Sequence, residues 1–367
     1  MQLSWVIDVP IHEESMNHST IVAPTVTSRL ACACNCAYGI GTHSGSYAPP
    51  AIYDPGVGWL AQPTPISAPE QGQPTGPRIN ACLVGRNGDG IVVAFRGTLP
   101  PAWTVASLED WWQDIVDSEP IAKAPLPGKV HSGFLAALGT IFNAVVAEVR
   151  RLRADTPNAP ILVTGHSKGG PLASIGAALL QLQEGIPVNA VVTFASPHPG
   201  DQDFVDGYPA AIPVTRYENY LDIVPLLPPT AGFYRVFKDV IPESLAQEFC
   251  SWFPGICKAL ENASNWNYAA LGDLRYVTSH GAVVGATDPS ANDATRIIEI
   301  VATLFGFGAS RDALEAASHE ANLAMSESGL AAIGAAHCIA CRCTDPKKPC
   351  AGGYMTGAGG DSICPGN

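Results

Sequence analysis

The feature that most constrains this chain is a short apolar run followed at once by a serine between glycines. Residues 161–164 are aliphatic or β-branched, residues 165–169 form a Gly-x-Ser-x-Gly pattern around Ser167, and small apolar residues fill 171–180. This order predicts a strand, a sharp turn and a helix. The glycines remove Cβ atoms that would collide where strand and helix approach closely. The pattern is typical of a turn that presents a serine nucleophile, with the backbone N–H of Lys168 facing a developing oxyanion.

Composition excludes several classes of function. The chain has 367 residues, of which 47% are hydrophobic and 14% charged, which is typical of a globular protein with a sizeable core. A formal net charge of -13 without a basic stripe argues against nucleic-acid binding. We find no phosphate loop and no dinucleotide fingerprint, so no cofactor is predicted. No apolar run is long enough for a transmembrane helix, and the oligomeric state stays open.

The first residues bear on the cellular location. Residues 1–10 carry no basic segment, and Asp8 interrupts their only apolar patch, which is not typical of a secretory signal. We therefore expect a cytoplasmic location, with secretion as the alternative. The eleven cysteines leave the redox compartment open, because their odd number leaves at least one without a partner inside the chain.

Strand and helix patterns alternate along the chain. Residues 79–84 and 91–96 flank an Asn-Gly-Asp-Gly turn and predict a β-hairpin. Further strands are predicted at 129–134, 161–164, 188–195, 213–218 and 272–277, and helices at 28–38, 135–154 and 294–305. Residues 48–77 are rich in Pro and Gly and predict a long surface segment. The alternation favours a mostly parallel central sheet in a three-layer α/β fold.

A tryptophan-rich segment follows the second strand of the hairpin. The strand ends in Arg96-Gly97-Thr98, at the edge of the sheet where ligands bind in open α/β folds. Residues 99–115 carry Trp111 and Trp112 among others, and aromatic side chains beside such an edge suggest a lid over an apolar cleft. The alternative is a helix whose tryptophans face the core.

Six stretches in order resemble one known family. They are 93–98 (VAFRGT), 110–114 (DWWQD), 130–134 (VHSGF), 165–169 (GHSKG), 193–197 (TFASP) and 219–229 (NYLDIVPLLPP). Together they resemble the class 3, fungal-type triacylglycerol lipases over about residues 80–330. The resemblance implies an α/β-hydrolase fold and a Ser-Asp-His hydrolase with an interfacial lid. It also implies a small-molecule ester or a lipid interface as the partner.

The resemblance assigns roles to four residues. Ser167 matches the nucleophile and Asp222 the acid that orients the histidine, while Thr98 and Lys168 match the oxyanion-hole positions. Lys168 replaces the apolar residue that is commoner there, but the backbone N–H is the group that acts. The acids at 201, 203 and 206 also precede the histidine candidates, and their polar loop favours a solvated surface.

Three histidines remain for the base. His280 lies at the tip of a predicted hairpin, which is a poor place from which to reach back to the serine. His319 follows a predicted helix, in a position that resembles the histidine of bacterial-type members of the family. We expect His319 to be the base and keep His280 and His337 as alternatives.

The chain is predicted to divide into a hydrolase domain at 1–335 and a small Cys-rich appendage at 336–367. A Cys-x-x-Cys-x-Cys pattern begins at Cys338, and Cys350 and Cys364 follow. Four such thiols could bind zinc in a site that includes Cys341 and Cys343, they could form disulfides, or they could stay free thiols, so no metal ligand is assigned.

The function expected from these observations is hydrolysis of carboxylic esters, first of all acylglycerols. Short-chain, phenolic or polymeric esters on the same machinery are the nearer alternative. A non-catalytic module that binds lipid or a partner is the alternative from another class, and it requires a missing member of the triad.

Overall fold

A mixed eight-stranded sheet forms the centre of the computed structural model, which describes residues 25–51, 53–98, 118–306, 326–339 and 354. The strands are β1 (Thr64–Ala68), β2 (Asn80–Asn87), β3 (Gly90–Phe95), β4 (Pro120–Ala122), β5 (Lys129–His131), β6 (Ile161–His166), β7 (Ala190–Phe194), β8 (Gly200–Asp201), β9 (Val214–Asn219), β10 (Tyr268–Ala269), β11 (Asp273–Val277) and β12 (Val283–Val284). The large sheet has the order β1-β2-β3-β6-β7-β9-β11-β12, and β10-β8-β5-β4 form a second, smaller sheet.

Helices cover both faces of the large sheet. They are α1 (Val26–Ala37), α2 (Tyr53–Val57), α3 (Ser132–Gly139), α4 (Phe142–Asp155), α5 (Gly169–Leu182), α6 (Gln202–Asp206), α7 (Ala231–Val240), α8 (Glu243–Trp252), α9 (Pro254–Trp266), α10 (Asp293–Leu304) and α11 (Glu327–His337). The five strands β3, β6, β7, β9 and β11 run parallel, whereas β1 and β2 at one end of the sheet and β12 at the other are antiparallel to their neighbours. This is the α/β-hydrolase architecture that the sequence predicted.

Strand β3 shows how the two faces are filled. Ile91, Val93 and Phe95 belong to one apolar core, while Val92 and Ala94 belong to the other. Successive side chains of a strand point to opposite faces, so a run that is apolar at every position is buried on both sides. Helices α4 and α5 pack on the first face, and α1 packs on the second.

The predicted helix at 135–154 is two helices, bent by 56° between α3 and α4. The hydroxyl of Thr140 donates to the carbonyl of Ala137 at 2.7 Å and caps the end of α3. The predicted surface segment at 48–77 also contains α2 and β1, and β1 pairs with β2 as an edge strand.

In the part of the chain that the structure describes, no single helix is long and apolar enough to cross a membrane. The bent pair of α3 and α4, taken together, does meet the criteria of length and composition.

Three consecutive helices, α7 to α9, stand between β9 and β11 and were not predicted. Their buried face is a ladder of phenylalanines, with ring centroids 6.3 Å apart for Phe233 and Phe237, 5.6 Å for Phe237 and Phe249, and 5.0 Å for Phe249 and Phe253. A disulfide between Cys250 and Cys257 joins α8 to α9. These helices pack beside the loop that leaves β9, and the loop carries Asp222.

Candidate active site

The turn between β6 and α5 holds Ser167 in a left-handed backbone conformation, with φ of 56°. Such a conformation is costly for a residue with a side chain and recurs at functional sites. A Cβ on Gly165 would lie 2.0 Å from the carbonyl oxygen of Gly169, and one on Gly169 would lie 2.3 Å from that of Phe95. Both glycines of the motif are therefore required by the close approach of strand and helix.

Ser167, His337 and Asp222 form one hydrogen-bonded chain. The Ser167 hydroxyl donates to Nε2 of His337 at 3.0 Å. Nδ1–H of His337 donates to both carboxylate oxygens of Asp222, at 3.0 and 3.1 Å. All three side chains are buried, and Asp222 has no exposed surface. A hydroxyl, an imidazole and a carboxylate in this order can generate a nucleophile at neutral pH.

The acid and the base are also linked by the ends of their elements. Asp222 follows β9, and its Oδ1 accepts from the backbone N–H of Val224 at 3.0 Å. The side-chain amide of Asn219 donates to the carbonyl of Ala336 at 3.1 Å, and Ala336 directly precedes His337 at the end of α11. This hydrogen bond therefore fixes the end of α11 relative to the loop after β9.

His166 points away from the nucleophile, as the sequence predicted. Its Nε2–H donates to the backbone carbonyl of His337 at 2.7 Å, and its Nδ1 accepts from the hydroxyl of Tyr38 at 2.8 Å. Because a carbonyl cannot donate, this partner requires the proton on Nε2. Burial, reinforced by the neighbouring His337, lowers the pKa of His166 to about 3. His166 is thus an uncharged support beneath the histidine of the triad.

The two expected oxyanion-hole residues lie beside the serine. In the parallel ladder Phe95 pairs with Gly165, which places Gly97 next to Ser167, and Thr98 comes directly after it. Lys168 stands at the N-terminus of α5, where backbone N–H groups point outward from the helix. The geometry is suited to an anion held by two backbone donors.

The side chain of Lys168 is tied down on the far side of this edge. Its Nζ donates to Oδ1 of Asn80 at 2.9 Å. The amide nitrogen of Asn80 donates in turn to the Thr140 hydroxyl at 3.1 Å. The cation at this unusual position is therefore hydrogen-bonded to the start of β2.

The alternative histidines have different fates. His319, the expected base, lies outside the described residues, and His337, one of its two alternatives, stands at the serine. His280 is exposed at the tip of the β11–β12 hairpin, where its ring contacts the hydroxyl of Ser279 at 3.2 Å. The helix that delivers His337 has a sequence signal, since residues 331–336 are mostly alanine and favour a helix ending at that histidine.

Of the competing acids, Asp201 is buried and not on a solvated surface. Its carboxylate accepts from the backbone N–H of Lys129 at 2.9 Å and of Phe204 at 2.8 Å, and it caps α6. Because both donors are backbone N–H groups, Asp201 has a structural role. Its polar neighbours in the sequence had favoured a solvated surface instead.

The predicted lid at 99–115 and the cysteines at 341, 343, 350 and 364 lie outside the described residues. Within those residues no cluster of three His, Cys, Asp or Glu side chains could hold a metal ion. The expected boundary between 335 and 336 falls inside α11, and the residues just after it, Cys338 and Ile339, are buried. The start of the expected appendage is thus packed into the fold.

Sequence analysis also missed Tyr354. Its hydroxyl donates to Asp222, and the residue belongs to no motif.

Comparison with known proteins agrees with this geometry. Residues 92–232 match the family model described as lipase (class 3). This central part of the chain is therefore similar to class 3 lipases. It contains Ser167 and Asp222, and it ends where α7 begins.

Fungal lipases are among the similar proteins. The chain is 36% identical over 149 residues to a lipase of Rhizomucor miehei, and the match covers 39% of each chain. It is 31% identical over 167 residues to secreted mono- and diacylglycerol lipase 2 of Gibberella zeae, covering 40% of this chain and 41% of that protein. The chain thus spans about two fifths of the length of these curated relatives. Both are fungal, so they give no support to a bacterial-type member.

A solved structure, a mutant form of MDLA from Penicillium cyclopium, has the same fold. Its TM-score is 0.50 at 16% identity, and the match covers 73% of this chain and 88% of that one.

The cellular location expected from residues 1–10 needs correction. Relatives named as secreted lipases, from Gibberella zeae and Fusarium solani, contradict the expected cytoplasmic location.

Proposed function

We propose that this protein is a serine carboxylic-ester hydrolase that acts on acylglycerols, with Ser167, His337 and Asp222 as its catalytic triad. The observation that carries the proposal is the unbroken hydrogen-bonded chain from the Ser167 hydroxyl to the Asp222 carboxylate. The names of the fungal relatives support the class of substrate, since they are lipases and mono- and diacylglycerol lipases.

In the acylation half-reaction Ser167 Oγ attacks the ester carbonyl carbon while Nε2 of His337 takes its proton. The negative charge moves to the carbonyl oxygen, which the backbone N–H groups of Thr98 and Lys168 stabilise. Asp222 holds the imidazole in the tautomer with Nδ1–H and stabilises the imidazolium. The C–O bond of the ester then breaks, and His337 gives its proton to the departing alcohol.

In the deacylation half-reaction water takes the place of that alcohol. His337 removes a proton from the water, the hydroxide adds to the acyl carbon, and the same two N–H groups hold the second oxyanion. Collapse returns the proton to Ser167 Oγ and releases the carboxylic acid. No cofactor is needed at any step.

The burial of the nucleophile supports an apolar, interfacial substrate. Ser167 is 1% exposed, and we propose that an ester reaches it when a covering part of the protein moves. We propose residues 99–115 as that lid, since their tryptophans suit contact with lipid.

The ester class is tested by hydrolysis of p-nitrophenyl esters of increasing chain length and of emulsified acylglycerols. We expect long-chain esters and acylglycerols to be preferred. Ser167→Ala and His337→Ala should each lower kcat by about 10³-fold or more, because each removes a member of one catalytic unit. His319→Ala is the matched control and should keep wild-type activity.

Three outcomes would contradict the proposal. Loss of activity in His319→Ala with retention in His337→Ala would move the base to His319. Turnover confined to short or phenolic esters would replace the acylglycerol by the nearer alternative. No turnover of any ester, with no labelling of Ser167 by a serine-reactive phosphonate, would favour a binding module.

For the location we propose secretion. The relatives named as secreted and the Cys250–Cys257 disulfide support it, because disulfides persist in oxidising compartments. Hydrolase activity sensitive to the phosphonate should appear in the medium of the source cells, and its confinement to the soluble cell lysate would contradict secretion.

A further inference from the structure

Tyr354 lies beyond the helix of the base, and its hydroxyl reaches the acid of the triad. The side chain has no exposed surface. Its hydroxyl donates to Oδ2 of Asp222 and accepts from the backbone N–H of Asn219 at 3.0 Å. Both hydrogen-bonding capacities of the phenol are therefore used at the loop that follows β9.

The tyrosine is fixed from several sides. Its backbone N–H donates to the carbonyl of Cys338 at 3.2 Å, next to the base in sequence. Its ring makes edge contacts with Phe194, at 6.4 Å between centroids, and with His166, at 6.0 Å. The residue is thus anchored to the base helix, to the end of β7 and to the elbow at once.

Asp222 accepts hydrogen bonds from three directions: His337, the backbone N–H of Val224 and the Tyr354 hydroxyl. A buried carboxylate needs such donors, because an unpaired charge in the interior is costly. The charged or titratable groups that face the phenol are Asp222, Glu218 and the neutral His166. Burial, together with the charge of Asp222, raises the pKa of Tyr354 well above its ordinary value, so the phenol stays protonated and donates.

We propose that Tyr354 is a positioning residue of the active site, which orients Asp222 and takes up part of its negative charge. The inference rests on the proposed function and deepens it. It gives Tyr354, which the sequence placed in the expected appendage, a role at the active site. Tyr354 acts on the reaction through Asp222 and His337 and does not touch the ester.

Removal of the phenol hydroxyl has two separable consequences. The carboxylate loses the donor that fixes one of its oxygens, so His337 is oriented less well and kcat falls. The full negative charge of Asp222 is then directed at the imidazole, which favours its protonated, inactive form. The acid limb of the kcat/KM profile should therefore move to higher pH, an effect that mere loss of packing does not produce.

The test compares Tyr354→Phe with Tyr208→Phe in the full-length protein, using a soluble p-nitrophenyl ester. Tyr208 is the matched control, because its hydroxyl also donates a partly buried hydrogen bond, to the carbonyl of Ser174 at 2.8 Å. We expect Tyr354→Phe to lower kcat by about tenfold at nearly constant KM and to move the acid limb up by about half a pH unit. Tyr208→Phe should change neither quantity.

A second variant covers the case in which Tyr354→Phe fails to fold. Replacing Tyr354 by fluorotyrosine keeps the shape and makes the hydroxyl a stronger donor, so the acid limb should move to lower pH. Wild-type kcat and pH profiles for both variants would overturn the proposal, as would equal losses in Tyr208→Phe. Ser167→Ala distinguishes failure of the Tyr354 proposal from failure of the proposed function, because intact ester hydrolysis in that variant would contradict the proposed function itself.

Discussion

His166 combines a sequence position inside the serine motif with a task away from the reaction. It donates to the carbonyl of His337 and is hydrogen-bonded to the hydroxyl of Tyr38. Its pKa of about 3 in the folded protein lies far below the value of about 6.5 expected in the unfolded chain. Folding therefore excludes a proton from this residue.

The free energy of unfolding should depend on pH through this histidine. Between about pH 6.5 and pH 3 the unfolded chain protonates it and the folded protein does not, so stability is complete above this window and falls as the pH falls through it. We expect His166→Asn to reduce the slope of stability against pH by up to about 1.4 kcal/mol per pH unit. Urea unfolding across the window measures the slope.

His280→Asn is the control, because the side chain is exposed at a hairpin tip. It should leave the slope at the wild-type value. The buried His198, whose pKa burial also lowers, remains in both variants and keeps part of the slope. An unchanged slope in His166→Asn would contradict the neutral assignment of His166.

At the same scale, the nucleophile and acid were easier to assign than the base. Ser167 and Asp222 lie within short motifs at strand ends, where local sequence determines the backbone. The base reaches the serine across 170 residues. Its position depends on how α11 packs against α10, and nearby residues do not encode that packing.

At the level of elements, a buried ion network joins β9 to α10. Glu218 pairs with Arg216 at 2.6 Å and with Arg296 at 2.7 Å, and Arg296 lies over the ring of Tyr276. Burial alone would raise the pKa of Glu218, but the two guanidinium groups hold it below its ordinary value. The network lies directly before Asn219, so it fixes the strand end from which the Asp222 loop departs.

We expect Glu218→Gln to lower the free energy of unfolding by about 3 kcal/mol, because it leaves the buried Arg296 without its counter-charge. Glu148→Gln on α4 is the control. Glu148 pairs with the exposed Arg151, and such pairs contribute at most about 1 kcal/mol. Urea unfolding at neutral pH compares the two variants. Equal losses in the free energy of unfolding would contradict the prediction that breaking the buried ion pair is more destabilising than breaking the exposed one.

The elements that the sequence predicted best are those with clear turn residues or a clear pattern of apolar residues. The hairpin of β2 and β3 follows from its turn residues, and β6 and β7 follow from unbroken apolar runs. Helices α7 to α9 were missed because their phenylalanines serve a local ladder, and the region follows a run of prolines. The break after α3 was missed because one hydroxyl, that of Thr140, ends the helix.

For the whole molecule, burial of the triad has a kinetic consequence. Since Ser167 is 1% exposed, the proposed lid at 99–115 would have to move before an ester enters, and an apolar interface would favour the open form. We expect the rate on a sparingly soluble ester to rise by about fivefold or more as its concentration crosses the solubility limit. The test measures initial rates on either side of that limit.

A short-chain ester that stays dissolved over the same concentrations is the control and should give an ordinary hyperbola. A hyperbola for both esters would mean that opening does not depend on an interface. The Ser167→Ala variant provides the background rate for each substrate.

The distance along the chain between nucleophile and base also affects biosynthesis. Ser167 precedes its partner His337 by 170 residues, and Tyr354 comes later still. A growing polypeptide therefore contains the serine motif long before it contains the histidine of the proposed triad. Until α11 has been synthesised the chain lacks the proposed base, and proteolytic cleavage before α11 would remove that base from a finished molecule.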